Sequence, residues 1–149
     1  MGTRLPPQSI DAEQSILGGL MLEQEAWDEV ADILREDDFD KTSHRKIFLS
    51  IKELNRQNMP TDLVTVSNFL NEKQELDSVG GPAYLAEMID SVPSTANIAA
   101  YAKIVHEKSL LRKVIQLTGE ISDQAYAQDF EDVPSFLDQL ESQVFRIAE

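Results

Sequence analysis

Several places in this chain bring together residue types that could do chemistry, and none carries the full pattern that chemistry requires. The two histidines are His44 and His106. A di-iron helical bundle needs a glutamate three residues before its histidine, and Lys41 and Lys103 stand there instead. Both imidazoles are expected as surface or capping side chains. Asp37, Asp38 and Asp40 form an acidic run that could attract a hard cation. The loop pattern and closing glutamate of a calcium-binding hand are missing, so a solvated turn is the expectation. Thr42-Ser43-His44 puts hydroxyls beside an imidazole, which Ser43 as a helix cap explains. Gly18-Gly19 and Gly80-Gly81 lack the following lysine of a phosphate-cradling loop. No Gly-x-Ser-x-Gly elbow occurs. The absence of cysteine removes disulfides, thiol catalysis and cysteine-ligated zinc. The expected reading is a chain with no catalytic residues, no cofactor and no metal of its own. A small metal enzyme using His44 with the acidic run stays open on residues alone.

The charge narrows the partners. Thirteen Lys and Arg against 27 Asp and Glu give a net charge of −14. Nucleic-acid binders carry a basic footprint that releases counterions from phosphates. A chain this acidic repels duplex DNA at long range, which argues against a self-sufficient DNA-binding domain. No apolar run is long enough to span a membrane. No signal-peptide pattern opens the chain, and Pro6 occupies the place where an acylation signal starting at Met1-Gly2 needs Ser or Thr. A cytoplasmic protein is expected.

The elements that must position these residues are helical throughout. Pro6-Pro7 closes an extended leader, residues 1–8, and Ser9 offers a cap. Ile16, Leu17, Leu20 and Met21 line one face of the first helix, where Gly18-Gly19 implies close packing. A second helix is expected over residues 25–35, with Phe39 as a core plug after it. A third begins near Ser43, with Ile47, Phe48, Ile51 and Leu54 inward, and Asp62 caps a fourth. Gly80-Gly81-Pro82 turns into a short helix carrying Tyr84, Leu85, Met88 and Ile89. Residues 97–127 then contain no proline, which gives a helix roughly 45 Å long. A polar break precedes a last helix from Val133. The expectation is an all-α chain: a compact head of short helices over residues 9–95, then a long antiparallel helical hairpin over residues 96–149.

The hairpin carries more apolar surface than one partner helix hides. Leu110, Leu111, Val114, Ile115, Leu117 and Ile121 cover an arc of roughly 160°, against about 100° for an ordinary core stripe. Phe145 falls outside the stripe of Leu137, Leu140 and Val144. Either the surplus folds back onto the head as ordinary core, or it marks an interface between copies.

The segments Leu5-Pro6-Pro7-Gln8-Ser9-Ile10-Asp11-Ala12-Glu13-Gln14, Asp38-Phe39 with His44 and Ile47-Phe48, and Pro60 with Asp62-Leu63-Val64-Thr65-Val66 resemble DnaB-type replicative helicases. So do Gly80-Gly81 with Tyr84-Leu85, Pro93-Ser94-Thr95-Ala96-Asn97-Ile98, and Glu107-Lys108-Ser109 with Leu111-Arg112. The resemblance runs in order through almost the whole chain and implies the N-terminal collar domain of such a helicase. It further implies that ATP and magnesium bind a separate motor domain, that hairpins pair into dimers and dimers into a hexamer, and that a DnaG-type primase docks through its C-terminal domain. By the same resemblance, Asp11, Tyr84, Leu111, Ile115, Ile121 and Phe145 are the candidate oligomer and primase interface residues, with Asp11 where a glutamate is common. A stand-alone helical adaptor of a replication complex is the alternative.

Overall fold

The computed structural model describes residues 4–149, so Met1-Gly2 and the first part of the expected leader lie outside the described residues. Among the described residues there are seven α-helices and no strand: α1 (Ile10–Leu22), α2 (Trp27–Val30), α3 (Thr42–Arg56), α4 (Leu63–Glu72), α5 (Gly81–Asp90), α6 (Ile98–Ala127) and α7 (Val133–Ala148). They group into a head unit, Gln8–Ser109, and a second unit made of the leader up to Pro7 with Leu110–Glu149. The all-α head followed by an antiparallel hairpin is the observed fold class.

Local chemistry sets the helix ends. The Ser9 hydroxyl accepts from the Ala12 amide at 3.3 Å and the Asp62 carboxylate from the Thr65 amide at 3.1 Å. Such caps contribute about 1 kcal/mol each. Asp132 does the same for α7, accepting from the Ser135 amide at 2.8 Å. Gly80 turns the chain into α5 at φ 112°, a left-handed conformation that costs a side chain dearly.

The head core comes from one face of each helix. Ile16, Leu17 and Leu20 of α1 meet Ile47, Phe48 and Ile51 of α3, Leu70 of α4 and Leu85 of α5, all essentially without solvent exposure. Each such side chain stabilises the fold by about 1.5–3 kcal/mol on burial. Phe39 plugs the core beneath its loop, its ring centroid 5.0 Å from that of Phe48, and Trp27 approaches Phe48 at 5.3 Å. Gly18 lets α1 and α5 touch: a Cβ there would run into the Met88 carbonyl and lie 2.9 Å from Val92 Cγ2.

Four expectations change. The helix expected over residues 25–35 is a 3₁₀ turn at Gln24–Ala26 and then the single turn of α2. The Ile33 and Leu34 amides both donate to the Val30 carbonyl at 3.0 Å, so the chain tightens there and swings Leu34 inward. Ser43 is not a cap, because α3 begins at Thr42 after Lys41 with no side-chain cap. His44 is fully buried rather than superficial, because its position shares the inward face of α3 with Ile47, Phe48 and Ile51. The acidic run is only partly solvated: Asp38 is buried, accepting from the Arg35 amide at 2.8 Å.

Candidate protein-binding interface

The hairpin stripe splits by position on the helix. On α6, Leu110, Leu117 and Ile121 are half-buried and fall within about 40° of one another on the helical wheel. Val114, Leu111 and Ile115 occupy the next roughly 100° and are exposed, by 42%, 49% and 56%. The same division recurs on α7. Phe136, Leu140 and Ile147 form the covered edge, while Val133, Leu137 and Val144 lie alongside in water. Phe145 projects from a third direction and is 65% exposed. Each helix therefore uses one edge of its apolar stripe within the chain and leaves the other wet.

Within this unit the loop between the helices is closed locally. Phe130 stacks on Phe136 with centroids 4.9 Å apart, and Gln124 Nε2 donates to the Asp129 carbonyl at 3.4 Å. Arg112 Nη1 donates to the Pro7 carbonyl at 2.8 Å, which ties the leader to α6. On the head part of the same helix, Lys103 pairs with Glu107 one turn on, at 4.0 Å.

The head carries the other two candidate residues. Asp11 is exposed in the first turn of α1. One turn later on the same helix, Gln14 Nε2 donates to the Tyr84 hydroxyl at 3.0 Å. Tyr84 is half-buried on α5, its ring stacked on His44 with centroids 5.9 Å apart. Tyr84 and Asp11 both belong to the head unit, whereas Leu111, Ile115, Ile121 and Phe145 belong to the hairpin unit.

Sequence reasoning missed the polar centre beneath Tyr84. Glu13 Oε1 lies 2.7 Å from His44 Nδ1, His44 Nε2 lies 2.6 Å from the Tyr84 hydroxyl, and Glu13 Oε2 accepts from the Asp40 amide at 2.8 Å. Glu13 and His44 are both essentially inaccessible to solvent. The signal was present: Glu13 shares the inward side of α1 with Ile16, Leu17 and Leu20, where a carboxylate is tolerated only with partners. His106, on the head portion of α6, contacts Asp38 Oδ1 at 3.2 Å. Among the described residues, no group of three or more His, Asp or Glu side chains is placed to hold a metal ion, and no helix is long and apolar enough to cross a membrane. The arrangement offers apolar contact area on the hairpin helices and a buried polar centre in the head.

Residues 5–107 match the family model described as the DnaB-like helicase N terminal domain. The chain is 41% identical over 145 residues to the replicative DNA helicase DnaB of Pasteurella multocida, covering 97% of this chain and 31% of that protein. It is 39% identical to the replicative DNA helicase DnaC of Bacillus subtilis, over its whole length and 33% of that protein. The chain thus spans about a third of these curated relatives. The N-terminal domain of DnaB helicase from Mycobacterium tuberculosis superposes with a TM-score of 0.91 at 35% identity, over 95% of this chain and 99% of that one. A DnaB-like replicative helicase, solved in a study of its interactions with primase, shares the fold at a TM-score of 0.76 and 24% identity, over 93% of this chain and 31% of that one.

Proposed function

The chain belongs to the DnaB-like helicase N-terminal domain family, and we propose that it is the non-catalytic collar of a cytoplasmic replicative helicase, building the ring through its hairpins and presenting a docking platform for primase. The observation that carries this reading is the exposed half of the hairpin stripe: Leu111, Val114 and Ile115 on α6, with Val133, Leu137 and Val144 on α7. Side chains of this kind, lying side by side and uncovered, mark association surfaces. A second copy presenting the same faces would close a two-fold contact, and three such dimers would complete a hexamer. ATP hydrolysis and strand separation would belong to a motor domain, and DNA would be met only by the full assembly, as the charge of −14 favours. Primase docking rests on the family and on the structural relative studied with primase.

The test is the molar mass in solution over a concentration series, for the parent and for Ile115→Asp. Association through the hairpin predicts concentration-dependent growth in the parent and its loss in the variant, because a carboxylate buried without a partner costs several kcal/mol. Equal masses for the two proteins would remove Ile115 from the interface.

A further inference from the structure

The head has a concave surface whose charge opposes that of the whole chain. A groove of about 550 Å³ runs between α2, α3 and α4. Trp27, Leu49 and Phe69 line it with apolar surface, and Lys52, Arg56 and Lys73 line it with charge. Three of the chain's 13 cations thus face one groove with a single carboxylate, Glu53, in a protein of 27 acidic residues. Glu53 is held by Arg56, which bonds it through Nη2 at 2.6 Å and Nε at 2.9 Å. Lys73 Nζ sits 4.6 Å above the Phe69 ring, at the apolar lining. Lys52 reaches Glu36 at only 3.5 Å with both side chains well exposed, a contact that water largely screens. Leu49 is 41% exposed, so an apolar site stands open between the charges.

We propose that this groove binds a short acidic peptide segment of a partner protein, anchored by one aromatic or branched aliphatic side chain. The anchor lies against Trp27, Leu49 and Phe69, and flanking carboxylates face Lys52 and Lys73. Desolvated apolar contact supplies the affinity, and the charges supply selectivity and encounter rate. A nucleic-acid strand fits worse, because its phosphates continue past the groove over a surface of opposite character, with net charge −14. The groove lies within the head unit, so the proposal stands whether or not the hairpins associate.

Trp27 is the chain's one tryptophan and reports occupancy through its fluorescence. The probe is a short synthetic peptide in which aspartates flank a single phenylalanine. Saturable quenching or shift of the Trp27 emission is expected. Replacing the peptide's phenylalanine with alanine, or its aspartates with lysines, weakens binding about tenfold or more. Lys52→Glu and Lys73→Glu in the protein do the same, with unchanged far-UV circular dichroism, and Leu49→Ser weakens binding without altering charge. The proposal is overturned by an absence of saturable change, by equal affinity for the lysine peptide, by indifference to the charge reversals, or by tighter binding of oligothymidylate than of the acidic peptide.

Discussion

His44 Nε2 lies 2.6 Å from the Tyr84 hydroxyl, in a place that water does not reach on the histidine side. The two ring nitrogens of His44 join Glu13 on one side and Tyr84 on the other, and the Tyr84 oxygen also accepts from Gln14. Helices α1, α3 and α5 are pinned together by one polar thread. Tyr84→Phe removes the one partner that His44 Nε2 has in this thread, and is expected to cost about 1–3 kcal/mol. Thermal unfolding measures it; an unchanged midpoint would show that the thread adds nothing to stability.

Two glycines in helices should respond oppositely to alanine. At Gly18 a Cβ meets the Met88 backbone, so Gly18→Ala must push α1 and α5 apart and is expected to destabilise by about 1–3 kcal/mol. At Gly119 nothing lies within 4 Å, and Gly119→Ala is expected to stabilise α6 by up to about 1 kcal/mol. Calorimetry of the two variants compares them; a loss at Gly119 or a gain at Gly18 would contradict these environments.

The split stripe on α6 separates folding from association. Leu117 belongs to its half-buried edge and Ile115 to its exposed one. Leu117→Ala should lower the unfolding midpoint even at dilutions where the protein is monomeric. Ile115→Ser should leave that monomeric midpoint almost unmoved while reducing mass at high concentration. Scanning calorimetry with light scattering reads both, and identical behaviour of the two variants would refute the split.

Acid should weaken the head at defined carboxylates. Hydrogen bonds from Arg56 and then Gln57 draw Glu53 down from its ordinary 4.5 to about 2. Hydrogen bonding with Thr65 holds Asp62 below its ordinary value as well. Groups lowered by folding add stability that is present above their unfolded pKa and lost as pH falls through the folded one. The Glu53 share therefore disappears between about pH 4.5 and pH 2, and Glu53→Gln should flatten the stability curve in that window. A carboxyl-carbon NMR titration checks the site directly, with a Glu53 midpoint near the ordinary value in Arg56→Ala.

Much of the fold is legible in the sequence, because its determinants are local. Ser9 and Asp62 announce helix starts, the periodicity of Ile47, Phe48, Ile51 and Leu54 orients α3, and the Gly18 contact follows from a glycine in an apolar helix. The polar thread escaped because its members sit 31 and 40 positions apart, where no period links them. The short α2 escaped because the tightening at Val30 depends on where Leu34 must pack. The surplus of apolar residues on the hairpin was visible as an arc, but which edge of the arc stays wet depends on packing and not on composition.

Asp38 serves two masters with one side chain. Its Oδ2 accepts from the Arg35 amide, holding the turn before Phe39, while its Oδ1 meets His106 near the root of the long helix. Slackening of that turn must therefore slacken the helix root, and the reverse. In hydrogen-exchange terms, amides around Asp38 and amides around His106 should open as one cooperative unit, with a shared opening free energy, although 68 positions of sequence separate them.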